Sequence, residues 1–217
     1  MKNALLEGIY ADSPSITILI HGLGGRKEEW LERDGYTKGG HIIEALSKAG
    51  LSWLACDLYG HGSWTAEEQG FDPENIPDKL WDSFMERSIA HAAETLRSRI
   101  SGGTMRHVNM ITYSAGCLVG AKLLETELPL PFDTVHMASP VPQKAYDDEY
   151  SLHNNLAGFR GLRYFQYSGQ LDQESDPEES GWFFRQVQAR EKRLHWYQSE
   201  HSLPREWTSD ALRNTGI

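Results

Sequence analysis

Ile111-Thr112-Tyr113-Ser114-Ala115-Gly116 is the stretch on which the reading of this chain turns. The apolar run from Val108 to Tyr113 reads as a short buried strand, and a helical run from Cys117 to Leu124 follows at once. Ser114 sits at the joint, with the small residues Ala115 and Gly116 letting the helix start close to the strand. A strand that turns sharply into a helix lifts the joint residue above the sheet edge. It also aims the unpaired N–H groups of the helix N-terminus at that residue, where they favour negative charge. Such a place suits a serine whose attack on a carbonyl creates an oxyanion. A serine before a helix is also an ordinary N-cap, so the fragment alone does not choose between the two readings.

Working outward, the chain has 217 residues, enough for one domain with a full core, and it is expected to form a single domain from 1 to 217. Its 39% hydrophobic and 24% charged content is that of a water-soluble globular protein. A formal net charge of −10 argues against a nucleic-acid backbone as partner. The longest apolar runs are too short to span a membrane. Met1-Lys2-Asn3-Ala4 does not open a signal peptide, so a cytoplasmic location is the default expectation. The two cysteines, Cys56 and Cys117, lie in apolar contexts and read as small core residues.

Strand and helix signals alternate along the chain. Leu5 to Tyr10 reads as an edge strand and Ile16 to Ile20, dense in β-branched residues, as a buried one. The latter ends in His21-Gly22-Leu23-Gly24-Gly25, a loop whose glycines allow a backbone N–H to point at a ligand. A helix over Ile42 to Lys48 and a strand over Leu51 to Cys56 follow, the strand ending at Asp57-Leu58-Tyr59-Gly60-His61-Gly62. Apolar residues at helical spacing predict a long amphipathic helix over Lys79 to Ile100, stopped by Gly102-Gly103. Beyond the 111–116 stretch, strands are expected at Thr134 to Ala138, Leu162 to Tyr167 and Arg193 to Tyr197. A helix from about Gly181 to Glu191 separates the last two, and a short one over Arg205 to Arg213 closes the chain. Central strands that are continuous apolar runs imply a mostly parallel sheet covered on both faces. In such sheets ligands bind at the carboxyl ends of the strands, where every loop of interest lies.

Ser114-Ala115-Gly116 resembles the nucleophile elbow of the α/β-hydrolases, G-x-S-x-G, with Thr112 in place of the first glycine. Ile20-His21-Gly22-Leu23-Gly24 resembles the oxyanion loop of that superfamily. Asp57-Leu58-Tyr59-Gly60-His61-Gly62 resembles the D-x-x-G-H-G segment of its esterases and monoacylglycerol-lipase-like members. The order Ser114, Asp172, His201 is also the superfamily's order, and the resemblance covers nearly the whole chain. It implies a three-layer α/β sandwich around a mostly parallel sheet. The interval from Ala138 to Leu162, where many relatives carry a lid domain, leaves room for little or none.

The resemblance also implies roles. Ser114 would be the nucleophile, His201 the base that takes its proton and returns one to the leaving group, and Asp172 the residue that orients His201 and stabilises its charged form. The backbone N–H groups of Ala115 and Leu23 would bind the oxyanion. Each residue has a plainer reading. Asp172 lies in a turn where aspartates are common, Asp176 is its nearest rival, and His201 could be a loop histidine. His21 and His61 are expected to make structural hydrogen bonds, and Asp57 to anchor its loop. Trp30, Tyr36, Tyr59, Trp64 and Trp182 could line an acyl pocket or simply pack. No metal-ligand spacing or dinucleotide fingerprint is present, and no cofactor is implied.

The expected activity is that of a serine hydrolase on small-molecule carboxylic esters, with a compact body and little cover suggesting small or short-acyl substrates. Two alternatives stay open: amide, thioester or peptide hydrolysis through the same acyl-enzyme, and a binding protein on a hydrolase fold. The sequence does not fix the oligomeric state.

Overall fold

The computed structural model describes residues 4–64, 71–72, 74–100, 105–142 and 149–216. Its centre is a seven-stranded sheet: β1 (Leu5–Gly8), β2 (Ser15–Ile20), β3 (Ser52–Cys56), β4 (His107–Tyr113), β5 (Phe132–Ala138), β6 (Arg163–Gly169) and β7 (Glu191–Tyr197). The spatial order is β1-β3-β2-β4-β5-β6-β7. Every neighbouring pair is parallel except β1 with β3, so the antiparallel strand is an edge. Among the described residues, five α-helices cover the sheet: α1 (Gly40–Lys48), α2 (Asp78–Ile100), α3 (Gly116–Leu123), α4 (Pro177–Gln186) and α5 (Glu206–Thr215).

The period of the strands sorts their side chains between two cores. Along β2, Ile16, Ile18 and Ile20 enter a core with Phe84, Met85, Ala92, Ala93 and Leu96 of α2 and Cys117, Leu118 and Ala121 of α3. Leu19 of β2 faces the other way, into a core with Ile42, Ile43 and Leu46 of α1 and Trp207 and Ala211 of α5. All six residues of β2 and all five of β3 are buried, as strands covered on both faces must be. The hydrophobic stripe of α2 is the face that the spacing of Phe84, Ala92, Ala93 and Leu96 anticipates.

After β2 the chain runs through α1 to β3 on one side, then through α2 to β4 on the other side of β2. The loops leaving β2 and β4 therefore diverge, and a crevice opens between them at the carboxyl end of the sheet. The pairing Ile20↔Thr112 brings the last residue of β2 opposite the residue two before Ser114.

Several strand ends shift by one or two residues from the sequence reading, and the largest difference is in the fourth helix. The fourth helix starts at Pro177 and ends at Gln186, rather than spanning Gly181 to Glu191, and Glu191 opens β7. Asp176 caps that helix by accepting from the N–H of Glu178 at 2.7 Å, with Pro177 in the first turn. A cap followed by proline and glutamates is a helix start that reads as an acidic loop when composition alone is weighed. Between β5 and β6, two short 3-10 turns, Leu152–Asn154 and Ala157–Phe159, are the helical structure among the described residues. Gly102-Gly103, the expected stop of the long helix, lies outside the described residues.

Candidate active site

Ser114 leaves β4 with φ +51°, a left-handed conformation that side-chain-bearing residues rarely hold. The sheet clamps it there. Its N–H continues the β4–β5 ladder by donating to the Ala138 carbonyl at 2.9 Å, and its own carbonyl accepts from Cys117 N–H at 2.9 Å as α3 begins. The helix begins hard against β2, where a Cβ at Gly116 would collide with the carbonyl of His21. Gly116 is therefore the glycine the elbow needs. Thr112 occupies the other glycine position of the pattern and is fully buried. Its Oγ1 lies 3.2 Å from Cys117 Sγ and 3.3 Å from the His136 carbonyl oxygen, with both acceptors in reach of its one hydrogen. Its methyl fills the space above Gly120, where a Cβ would lie 2.7 Å from Thr112 Cγ2. The side chain gained at 112 is thus matched by one missing at 120.

His201 lies in the loop after β7 and presents Nε2 to Ser114 Oγ at 2.8 Å. Its Nδ1 meets Asp172 Oδ2, also at 2.8 Å. Asp172 and His201 are almost wholly buried and Ser114 is half-buried. The second carboxylate oxygen of Asp172 accepts from the N–H groups of Glu174 and Ser175, both at 2.9 Å. Those bonds fix the carboxylate plane and leave Oδ2 for the imidazole. With Nδ1–H donated to a carboxylate, Nε2 is the nitrogen left with a lone pair towards the serine. Asp176, the rival acid, is occupied in capping α4.

Two hydroxyls that the sequence reading passed over hold the histidine loop. Tyr113 Oη donates to the His201 carbonyl at 2.9 Å and accepts from Leu203 N–H at 3.0 Å. Ser139 Oγ donates to the same carbonyl at 2.7 Å. No local signal marks either residue, because each bond joins strands that are brought together only by the sheet order.

The loop after β2 is pinned from below. Burial, with the nearby His61, lowers the pKa of His21 to about 4, so its ring is neutral. Its Nε2 accepts from Leu58 N–H at 3.1 Å, and its Nδ1–H therefore donates to the Gly22 carbonyl at 2.7 Å. Asp57 accepts from Lys27 N–H at 2.7 Å, Lys27 Nζ at 2.8 Å and Ser63 N–H at 2.9 Å. Lys27 is 2% exposed, an uncommon place for a lysine, and Glu28 completes its pairing at 2.8 Å. Burial works against the ammonium, but hydrogen bonds to Asp57 and Glu28 outweigh it and raise the lysine pKa. Asp57 and Lys27 thus tie the loops after β2 and β3 together, away from Ser114.

Above Ser114 lies a cavity of about 600 Å³, bordered by Leu23, Ala115, Tyr36, Val141 and the carboxylates Glu29, Glu74 and Glu174. Of the five aromatic residues considered for a pocket, Tyr36 lies here. Trp30 is fully buried, Tyr59 packs edge-on against Trp64, and Trp182 packs against His153 with tilted rings. His91 packs against Trp64, and His136 stacks between β5 and β6 on Phe165 and Tyr167. Among the described residues there is no group of three or more His, Cys, Asp or Glu side chains placed to hold a metal ion. No described helix is long and apolar enough to cross a membrane.

The comparisons agree with this architecture. The family model "Alpha/beta hydrolase family" matches residues 17–215, and the chain belongs to that family. Among solved structures, the chain is similar to Est1E from Butyrivibrio proteoclasticus with ferulic acid bound. That match has 14% identity and a TM-score of 0.67, and covers 98% of this chain and 93% of the other. It is also similar to the Pyrococcus furiosus esterase Pf2001, with 18% identity, a TM-score of 0.62, and 95% and 84% of the two chains covered. An alpha-beta serine hydrolase homologue from Coxiella burnetii matches with 13% identity, a TM-score of 0.65, and coverage of 97% and 90%. At these identities the likeness speaks for the fold. Comparison with curated proteins finds no match.

Proposed function

We propose that this chain is a serine hydrolase that cleaves small or short-acyl carboxylic esters through an acyl-enzyme. The observation that carries the reading is the line Ser114 Oγ, His201 Nε2, His201 Nδ1, Asp172 Oδ2, with both gaps at 2.8 Å. In that line Ser114 Oγ attacks the ester carbonyl carbon while its proton passes to His201 Nε2. Asp172 stabilises the imidazolium without itself taking the proton. The carbonyl oxygen, now an oxyanion, is held by the N–H groups of Leu23 and Ala115, which border the cavity beside Ser114. Collapse of the intermediate expels the alcohol, which takes the proton from His201 and leaves the acyl group on Ser114. Water activated by the same histidine then attacks the acyl carbon, releasing the carboxylic acid and restoring the serine.

Small substrates are favoured because the interval between β5 and β6 is short, about two dozen residues with two single-turn 3-10 segments among those described. The test is intact-mass analysis after exposure to a fluorophosphonate, with peptide mapping and a Ser114→Ala control, followed by rates on p-nitrophenyl esters of increasing acyl length. One adduct on Ser114, absent from the control, with the best rates on short acyl groups, is expected. A folded protein that takes no adduct would overturn the reading. Rates that climb steeply towards palmitoyl would overturn the short-acyl part alone.

A further inference from the structure

The leaving alcohol of an ester has a fixed place in this geometry. It takes its proton from His201 Nε2, 2.8 Å from Ser114 Oγ, so it departs on the His201 side of Ser114. On that side lies a second cavity of about 310 Å³, bordered by His201, Tyr36, Gln173, Glu174, Glu200 and Ser202. Among the described residues that border it, Tyr36 supplies the one phenyl ring, and the same residue borders the cavity above Ser114. The departing group therefore passes Tyr36.

The ring is backed and its backbone is anchored. Its centroid lies 5.3 Å from that of Tyr113, edge-on at 61°, and 6.4 Å from that of His201. Tyr113 is wholly buried and directly precedes Ser114, so it gives Tyr36 a fixed support. Thr37, the next residue, is also fully buried. Its Oγ1 donates to the Glu29 carbonyl at 3.0 Å and accepts from Gly39 N–H at 3.2 Å, and its carbonyl accepts from Trp207 Nε1 at 3.1 Å. Lys38 Nζ donates to Ser202 Oγ at 3.2 Å, which ties this loop to the one that carries His201. Yet Tyr36 itself is 43% exposed. An aromatic ring mounted this way is preorganised. A flat apolar group laid on it gains contact area with little side-chain freedom left to lose.

We infer that Tyr36 is a specificity-determining residue, a platform for the ring of an aromatic alcohol as that alcohol leaves Ser114. The inference rests on the serine-hydrolase reading above and names the alcohol half of the ester. The aromatic surface of Tyr36, rather than its hydroxyl, is what the alcohol covers.

The test measures kcat/KM for benzyl acetate and ethyl acetate, which share an acyl group and have alcohols of similar acidity, in the wild type, Tyr36→Phe and Tyr36→Ala. Their ratio reads the alcohol side, because a substitution that only disturbs Ser114 or His201 slows both esters alike. The expected ratio favours benzyl acetate by roughly tenfold in the wild type, persists in Tyr36→Phe and falls most of the way to unity in Tyr36→Ala. A ratio near one in the wild type, or one that stays the same or rises in Tyr36→Ala, would overturn this inference and leave the hydrolase reading standing. Ethyl phenylacetate against ethyl acetate carries the ring on the acyl side instead. Tyr36→Ala should move that second ratio less than the first, and the reverse would overturn the placement on the alcohol. No turnover of any of these esters, together with no fluorophosphonate adduct on Ser114, would overturn both readings.

Discussion

The phenol of Tyr113 donates to the carbonyl oxygen of His201, so the residue just before the proposed nucleophile also holds the loop that carries its base. The same oxygen accepts from Leu203 N–H, which makes Tyr113 a bridge between two backbone groups of one loop. Tyr113→Phe should leave the Leu203 N–H buried without this acceptor and cost about 1–3 kcal/mol of stability. The His201 carbonyl keeps Ser139 Oγ, so the loop should loosen rather than detach. Ester hydrolysis should fall through kcat more than through KM. Urea unfolding and steady-state kinetics on the same preparation check both expectations, and a wild-type kcat would contradict the positioning role.

Asp172 supplies the test of orientation. Asp172→Asn keeps the shape of the side chain but can turn an N–H towards Nδ1, which favours the wrong imidazole tautomer. A drop of about 10⁴-fold in kcat is expected, with the fold intact by circular dichroism. Asp176→Asn should behave differently, because that side chain caps α4. Asparagine is also a good cap, so activity should stay within a few-fold of wild type. Equal losses in the two variants would assign the acid wrongly.

Thr112 and Gly120 form a matched pair that a double-mutant cycle can read. Gly120→Ala places a methyl against Thr112 Cγ2 and close to Met110 Sδ, and should destabilise by about 1–3 kcal/mol. Thr112→Gly alone forfeits the hydrogen bonds to Cys117 and the His136 carbonyl but should leave activity similar or raise it. Together the two changes remove the clash, so the double variant should be more stable than the sum of the single costs. Strict additivity in thermal unfolding would show that the space above Gly120 is not shared in this way.

His136 and His21 make stability depend on pH. Burial lowers the first to about 3, with Arg163 and His195 adding to the effect, and the second to about 4, against an ordinary value of 6.5. In both cases the unfolded chain binds the proton more readily than the folded one. Their contribution is therefore full above about pH 6.5 and is lost as pH falls towards the folded values. The loss reaches up to about 1.4 kcal/mol per pH unit for each histidine. Urea titrations between pH 7 and pH 4.5 should show this slope, and His136→Phe should reduce it by about one proton. A variant with the wild-type slope would show that His136 does not titrate with unfolding.

Much of this arrangement is written locally. The β-branched run at 16–20, the long amphipathic helix and the small residues after Ser114 each announce their element without reference to the rest of the chain. Ser114, Asp172 and His201 stand out because each follows a strand, and parallel strands bring their carboxyl ends to one edge of the sheet. What escaped the sequence depends on partners that are distant along the chain. Lys27 reads as part of a polar loop, because nothing nearby reveals that Asp57 waits thirty positions on to pair with it. Ser139 and Tyr113 carry ordinary hydroxyls until the order β4-β5-β6-β7 places the His201 loop above them. The start of α4 is hidden in the sequence for another reason. Asp176 reads in the sequence as a candidate acid, and the same residue caps the helix in the fold. The aromatic residues are the least legible, since Trp30 is fully buried while Trp182 is exposed, and nothing in their local sequence separates the two.

The pairing of β2 with β4 has a consequence for how such a protein can change. Because Ile20 stands opposite Thr112 in the ladder, the spacing between the loop after β2 and Ser114 is set by backbone register, which admits only whole-residue steps. The groups that border the cavity above Ser114, among them Glu29, Tyr36, Glu74 and Glu174, hang on segments outside that ladder. Substitutions there can redraw what the cavity accepts one small increment at a time while the reacting atoms keep their places. The position of Ser114 is quantised by the sheet, and the lining of the cavity is left continuous.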